Sequence, residues 1–97
     1  MSPWLVETVV GNTLANSIIG KDMKLYYWAE RNREVDFILA RGNDIVAIEV
    51  KSGRMRTALP GLESFTRTFP VKKKLLVGTG GIPLHDFLSI DVEDLMR

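Results

Sequence analysis

At 97 residues, the chain is long enough for one domain with a single hydrophobic core. Its composition, 45% hydrophobic and 26% charged with a net charge of +1, is that of a globular protein rather than a disordered or fibrous one. The absence of cysteine excludes disulfides, thiolate metal sites and cysteine nucleophiles, and the single histidine, His85, excludes multi-histidine zinc sites.

Residues 4–18 are predicted to form the first helix, with Ser2 as its N-cap, Pro3 near its first position and Gly20 beyond its end. Glu7 is the one carboxylate of this helix. The apolar residues within about 60° of Glu7 on a helical wheel are Trp4, Val10, Leu14 and Ile18. A carboxylate in the middle of an apolar face requires an ion-pair partner, a metal or a place at the core edge. Alternatively, it only favours the positive end of the helix dipole.

Three strands are predicted next, "KLYYWAE", "EVDFILA" and "DIVAIEVK", and the last two flank a turn containing Gly42 and Asn43, as in a hairpin. Period-two alternation predicts two sets on the second strand: Glu34, Asp36 and Ile38 on one face, and Val35, Phe37 and Leu39 on the other. On the third strand the predicted sets are Ile45, Ala47, Glu49 and Lys51, and opposite them Val46, Ile48 and Val50. Pairing of these strands would bring Asp36 and Glu49 to the same point.

The remaining elements complete an α/β order. A helix is predicted from near Pro60, with Leu59, Leu62, Phe65 and Phe69 on its apolar side. "KKKLLVGTGG" predicts a strand, "DFLSI" a last short strand, and "DVEDLMR" a terminal helix capped by Asp91. The order α β β β α β (β) α predicts one domain, residues 1–97, with a mixed central sheet flanked by helices.

Several familiar motifs are absent or weak. No phosphate-binding glycine signature is complete, and His85 has no partner in a nucleophile arrangement, so we expect a surface histidine. The aromatic residues Tyr26, Tyr27 and Trp28 are expected to pack in the sheet rather than to stack on bases. No stretch approaches the length of a membrane span and no signal peptide is visible, so we expect a cytoplasmic protein without membrane contact.

The strongest chemical signal is the set Glu7, Asp36, Glu49 and Lys51. Phosphodiester hydrolysis requires charge neutralisation and an activated water, and Mg²⁺ or Mn²⁺ held by a few carboxylates provides both. Asp36, Glu49 and the backbone carbonyl of Val50 are the expected metal ligands, with Glu7 as an auxiliary acid. Lys51 would position the water and stabilise developing charge. The alternative is that Asp36 and Glu49 only form salt bridges, with Lys51 and with Arg33 or Arg54.

A basic segment follows this set, since residues 51–74 carry seven positive and one negative side chain. Its basic side chains are Lys51, Arg54, Arg56, Arg67, Lys72, Lys73 and Lys74. Those beyond Lys51 are candidates for nucleic-acid binding. A solvated basic surface without a partner is the equally weighted alternative.

The four-residue set resembles the pattern of the PD-(D/E)XK, restriction-endonuclease-like nuclease superfamily. More closely, "LYYWAERNREVDFILARGNDIVAIEVKSG" resembles the C-terminal domain of unknown function of prokaryotic AAA+-type ATPases, and the similarity extends from "WLVETVVGN" to "DLMR". This resemblance implies a restriction-endonuclease-like αβββαβ core and a nuclease-like domain from the C-terminal part of a longer ATPase-type protein. It also implies Glu7, Asp36, Glu49 and Lys51 as catalytic residues.

The sequence therefore predicts an Mg²⁺-dependent nuclease or nuclease-like domain acting on DNA. The alternative is a catalytically inactive module that binds nucleic acid or docks a protein as an accessory to the ATPase half. A third, weaker possibility is self-association of the chain, for example as a homodimer.

Overall fold

The computed structural model describes residues 3–53 and 59–97. Their elements, in chain order, are α1 (Pro3–Ser17), β1 (Lys24–Glu30), β2 (Arg33–Arg41), β3 (Asp44–Lys51), α2 (Pro60–Thr68), β4 (Lys73–Gly78), α3 (Leu84–Leu88) and α4 (Val92–Leu95). The strands form one sheet in the order β1-β2-β3-β4, in which the first two pairings are antiparallel and the third is parallel. The predicted α/β class with a mixed sheet flanked by helices is confirmed.

Helix α1 covers one face of the sheet together with α3 and α4. Val6, Val10 and Leu14 recur every four residues on α1 and are buried against the sheet residues Ile48 and Val77. The expected stripe is thus correct at Val10 and Leu14 but wrong at Trp4, whose residue surface is 72% exposed. The buried row begins with Val6, so the first turn of α1 leaves Trp4 in solvent.

Helix α2 covers the opposite face with a smaller core. Leu62 and Phe65 of α2 pack on Val35, Ile38 and Ala47 of the sheet. The helix begins against the backbone of β2, because Gly61 lies so close that a Cβ there would be 1.9 Å from the carbonyl oxygen of Glu34. Only glycine permits this approach, so the start of α2 is fixed beside the start of β2.

A β-bulge interrupts the alternation of β2. Tyr26 pairs with Ile38 but Trp28 pairs with Val35, so two residues of β2 lie opposite one residue of β1. Val35 therefore packs with Ile38 on the α2 side, whereas Phe37 belongs to the α1 side. The predicted grouping of Val35 with Phe37 and Leu39 was wrong, because an inserted residue shifts the face of the residues before it.

The faces of β3 follow the prediction. Val46, Ile48 and Val50 belong to the core under α1, whereas Ile45 and Ala47 belong to the core under α2. Its regular alternation agrees with its regular pairing to β4.

The C-terminal residues form two short helices. "DFLSI" is not a strand: Leu84–Leu88 is helix α3, whose Phe87 enters the core under α1. Pro83 precedes its first turn, a position that suits its fixed φ. The terminal helix is confirmed as Val92–Leu95, and the Asp91 carboxylate accepts the N–H of Glu93 at 2.8 Å as its cap. Within the described ranges, no helix is long and apolar enough to cross a membrane.

Candidate functional site

One cavity collects the four residues singled out in the sequence. Glu7, Asp36, Glu49 and Lys51 all line an open cavity of about 560 Å³ beside the start of β2 and the end of β3. Glu7 comes from α1, Asp36 from the bulge of β2, and Glu49 and Lys51 from the end of β3. A helix and the two strands of one hairpin thus bring their acids to one place.

The bulge determines how Asp36 is held. The regular pairing of β2 with β3 begins at Phe37 and Ile48. Beyond this pair, the two backbones are no longer paired in the ladder. The Asp36 carboxylate takes over, because its Oδ2 accepts the backbone N–H of Val50 at 2.7 Å. A side chain fixed by a backbone donor has few alternative positions, and the second oxygen of the Asp36 carboxylate can bind a ligand.

The same bond indicates the direction of the Val50 carbonyl. A strand residue in an antiparallel ladder directs its N–H and its C=O toward the same neighbour. Because the N–H of Val50 points to Asp36, its carbonyl is directed into the gap between β2 and β3.

Lys51 lies in a tightly fixed part of the backbone. Its carbonyl oxygen accepts the N–H of Thr79 at 3.1 Å. Gly78, with a φ of 101°, lies so close that a Cβ would be 1.9 Å from that oxygen. The end of β3 is therefore held by the turn after β4, which fixes the point from which the Lys51 side chain extends.

Two acids of the cavity have raised pKa values. Burial, followed by the hydrogen bond to Glu49, raises the pKa of Asp36 to about 6, although the hydrogen bonds with Glu7 and with the Val50 N–H act in the opposite direction. The hydrogen bond to Asp36, followed by burial, raises the pKa of Glu7 to about 7. Among the described residues that line the cavity, four are acids and only Lys51 is a cation.

Neither buried acid forms an ion pair with another described residue. Asp36 is 8% exposed and Glu49 is 5% exposed. Among the ion pairs of residues 3–53 and 59–97, none involves Glu7, Asp36, Glu49 or Lys51. The expected alternative, salt bridges of Asp36 and Glu49 with Lys51 or Arg33, is therefore not formed; Arg54 lies outside the described residues.

Among the described residues, no group of three or more histidine or acidic side chains is placed so that it could hold a metal ion. Mg²⁺ is commonly held by one or two carboxylates and keeps further positions for water and phosphate. Asp36 and Glu49, with the carbonyl of Val50, are the groups of the cavity that could hold such an ion.

The sequence analysis missed several lining residues. The cavity is also lined by Asn32, Glu34, Ser52, Leu59 and Pro60. The Tyr27 hydroxyl donates to Glu34, and the Ser52 Oγ is buried without a partner among the described residues. Asn32 belongs to the β1–β2 turn, and the hairpin pattern could have placed that turn at the end of β2 that carries Asp36.

Of the predicted basic residues, the four that the structure describes beyond Lys51 do not line the cavity. Lys72 pairs with Asp44 at 3.6 Å, and Lys73 and Lys74 lie beside the start of β3. From there the strand rises about 16 Å to Lys51. Arg67 is exposed in the last turn of α2, whereas Pro60 at the start of α2 lines the cavity. Arg54 and Arg56 lie outside the described residues.

Two further expectations can be compared with the structure. His85 lies at the surface as expected, with a side chain 94% exposed. Of the three aromatic residues of β1, only Trp28 packs in the sheet, where its ring meets Phe65 at 5.3 Å. Tyr26 and Tyr27 are exposed, so the expected sheet packing was wrong for both.

Fold and site together define a mixed α/β domain with a buried acidic cavity at one end of its sheet. A family model matches residues 4–90, and the chain belongs to that family, described as a domain of unknown function, DUF4143. Domains of this family are typically associated with AAA ATPases. A search of curated proteins and a search of solved structures each found no match.

Proposed function

We propose that this domain is an Mg²⁺- or Mn²⁺-dependent nuclease acting on DNA, with a restriction-endonuclease-like core. The observation that supports the proposal most is the convergence of Glu7, Asp36, Glu49 and Lys51 in one cavity. Two of these acids are buried and have no ion-pair partner within residues 3–53 and 59–97, an arrangement that lowers stability and is typical of groups kept for a ligand.

Each residue has a distinct task in the proposed reaction. A bound Mg²⁺ supplies charge neutralisation at the phosphate and lowers the pKa of water. Asp36 and Glu49 would hold the ion with the Val50 carbonyl, and the Val50 N–H keeps Asp36 in place. Glu7 would be the auxiliary acid, hydrogen-bonded to Asp36. Lys51 orients the attacking water and stabilises the negative charge that develops on the phosphate.

A second role is docking to an ATPase. The typical association of the family with AAA ATPases supports it, and so does the exposed basic residue Arg67, which lies away from the acidic cavity. In that role the domain would bind nucleic acid or protein without hydrolysis. Binding would then weaken with salt and need no metal.

A cleavage assay tests the nuclease proposal. Single- and double-stranded DNA are incubated with Mn²⁺ and the wild type, Lys51→Ala or the control Lys24→Ala, which removes an exposed lysine at the far end of β1. We expect cleavage by the wild type and Lys24→Ala, and a loss of about 100-fold in Lys51→Ala, the size of one general acid–base or charge-stabilising group. Equal cleavage by all three proteins would identify a contaminating nuclease.

Calorimetry provides a readout independent of turnover. Titration of Mg²⁺ into the wild type should release or absorb heat, and Asp36→Asn should show none. No heat with Mg²⁺ or Mn²⁺ in the wild type would favour the docking role over the nuclease.

A further inference from the structure

The turn between β1 and β2 carries an arginine in an unusual backbone conformation. Arg31 and Asn32 both have positive φ, 49° and 64°. At the other hairpin of the sheet, the corresponding first turn position is Gly42, with φ of 56°. Glycine, asparagine and aspartate favour this conformation, whereas arginine does not. Turn geometry therefore does not explain why position 31 is an arginine.

This turn lies at the mouth of the acidic cavity. Asn32 lines the cavity directly. Arg33 follows it and donates through a guanidinium nitrogen to the carbonyl oxygen of Pro60 at 3.4 Å, and Pro60 lines the cavity too. Arg31 is exposed and forms no ion pair within residues 3–53 and 59–97. The Arg31 guanidinium is thus available to bind a phosphate that approaches the mouth of the cavity.

An exposed aromatic ring lies beside the same opening. Tyr27 is 62% exposed, although its hydroxyl donates to Glu34, which lines the cavity. This hydrogen bond fixes the hydroxyl end while the ring stays open to solvent. Its neighbour Trp28 is instead covered by Phe65. A held but uncovered ring is suited to stacking on an unpaired base.

We propose that the mouth of the cavity binds a single-stranded polynucleotide, with Arg31 on a backbone phosphate and Tyr27 stacked on a base. The direction of the strand toward the acids rests on the proposed nuclease function. The contacts themselves do not, because they involve neither Asp36 nor Glu49. A duplex binds less well, since its bases are stacked on each other and have no free face for Tyr27.

Fluorescence anisotropy tests the arginine contact. The probes are labelled oligodeoxythymidine and oligouridine of about 20 nucleotides, and a DNA duplex of the same length, a span that covers several site sizes of single-strand binders. The full chain is titrated onto each probe in Ca²⁺ and in a chelator. Arg31→Asn removes the charge but keeps a residue that tolerates positive φ, and the control Lys24→Gln removes one positive charge at the far end of β1.

We expect Arg31→Asn to weaken single-strand binding about three- to fivefold, the size of one exposed charge pair. The slope of the logarithm of affinity against the logarithm of salt should fall by about 0.7, the value for one phosphate contact on a single strand. Lys24→Gln should change binding less than about twofold, within the range of an exposed charge without a contact. Equal weakening by the two variants, or a wild type that does not bind the oligonucleotides, would overturn the proposal.

The stacking contact has its own matched pair. Tyr27→Leu removes the ring and should weaken single-strand binding by about fivefold or more. Tyr27→Phe keeps the ring, loses only the hydroxyl that Glu34 accepts, and should bind almost as the wild type does. Equal affinities for duplex and single strand, with no effect of Tyr27→Leu, would contradict it. Normal cleavage with unaltered binding in Arg31→Asn and Tyr27→Leu would overturn the single-strand contacts and leave the nuclease proposal standing. The expected losses of binding, without metal-dependent cleavage by the wild type, would support the contacts and overturn the nuclease proposal.

Discussion

The two ends of β2 carry charges that are treated in opposite ways. At one end the Arg41 guanidinium donates to Asp22 and to both oxygens of Glu93, each at 2.8 Å, and Lys21 lies 3.5 Å from Glu93. These cations lower the pKa of Glu93. At the other end, burial and neighbouring acids raise the pKa of Asp36.

The charges at the Arg41 end form ion pairs that stabilise the fold, whereas the acidic charges at the Asp36 end destabilise it. The pairs around Arg41 connect β2 to α4 and to the segment after α1. The cluster around Asp36 places like charges side by side in a buried position. Groups with perturbed pKa values cluster at functional sites. We therefore call the Asp36 end, which carries the residues of the proposed site, the working end of the sheet.

The largest expected effect comes from a substitution of Gly61, the glycine at which α2 packs against β2 near the working end. Gly61→Ala would place a Cβ 1.9 Å from the carbonyl oxygen of Glu34, so the start of α2 must move away from β2. We expect a loss of about 3 kcal/mol in the free energy of unfolding, measured by urea denaturation. Metal-dependent cleavage should fall with it, because Leu59 and Pro60 line the cavity.

Gly42→Ala is the matched control at the other end of β2. It lies in open space and has a φ of 56°, so the added methyl meets no atom and only the backbone conformation is strained. A loss of about 1 kcal/mol is expected, with cleavage unchanged. If both variants lose equal stability, the close packing of α2 on β2 does not hold the working end.

The next effect is the stability gained by neutralising Asp36. In metal-free buffer at pH 8, Asp36→Asn should raise the free energy of unfolding by about 1–2 kcal/mol, since it removes a buried like charge. The amide oxygen still accepts the Val50 N–H. Asp22→Asn, at the Arg41 end, loses an ion pair and should lower stability slightly. The same substitution then has opposite signs at the two ends of one strand.

The pH dependence follows from the direction of the shifts. The pKa of Asp36 rises from 3.8 to about 6 on folding, and that of Glu7 from 4.5 to about 7. Both groups therefore contribute stability below their unfolded pKa, and this is lost as pH rises through the folded values. Denaturation between pH 4 and pH 8 should show a decline in the wild type and a flatter profile in Asp36→Asn. If the stability of the wild type does not decline over this range, the pKa values of Asp36 and Glu7 are not raised on folding.

Much of this site could be predicted from the sequence because its parts lie on regular elements. The strand "DIVAIEVK" alternates without interruption, so the faces of β3 and the position of Glu49 followed from period two. Helical periodicity placed Glu7 on the buried side of α1. Asp36 reached the cavity as expected, but by a different geometry.

The remainder depends on features without a periodic signal. The bulge at Asp36 and Phe37 shows only in the pairing with β1, since a single inserted residue leaves no composition mark. Helix α3 has only five residues, too few for a helical period to be distinguished from a short apolar strand. The density of positive charge in the sequence predicted that Lys72 and its neighbours bind nucleic acid. The arginine beside the cavity, Arg31, lies there because of the location of the β1–β2 turn. Local patterns thus gave the elements, and tertiary contacts determined which charges meet.

The smallest expected effect lies at the Arg41 end. Glu93→Gln removes the partner of Arg41 and Lys21, whose side chains are only partly exposed. Ion pairs that remain in contact with solvent contribute little to stability. We expect the melting temperature at pH 7 to fall by less than about 4 °C, with cleavage and metal binding unchanged. Because Arg41 lowers the pKa of Glu93, its contribution is present above the unfolded pKa of 4.5 and is lost as pH falls through the folded value. Wild type and Glu93→Gln should therefore converge in acid, whereas wild type and Asp36→Asn diverge as pH rises. A large loss of cleavage in Glu93→Gln would show that the two ends of β2 are coupled and would end their separation into a structural end and a working end.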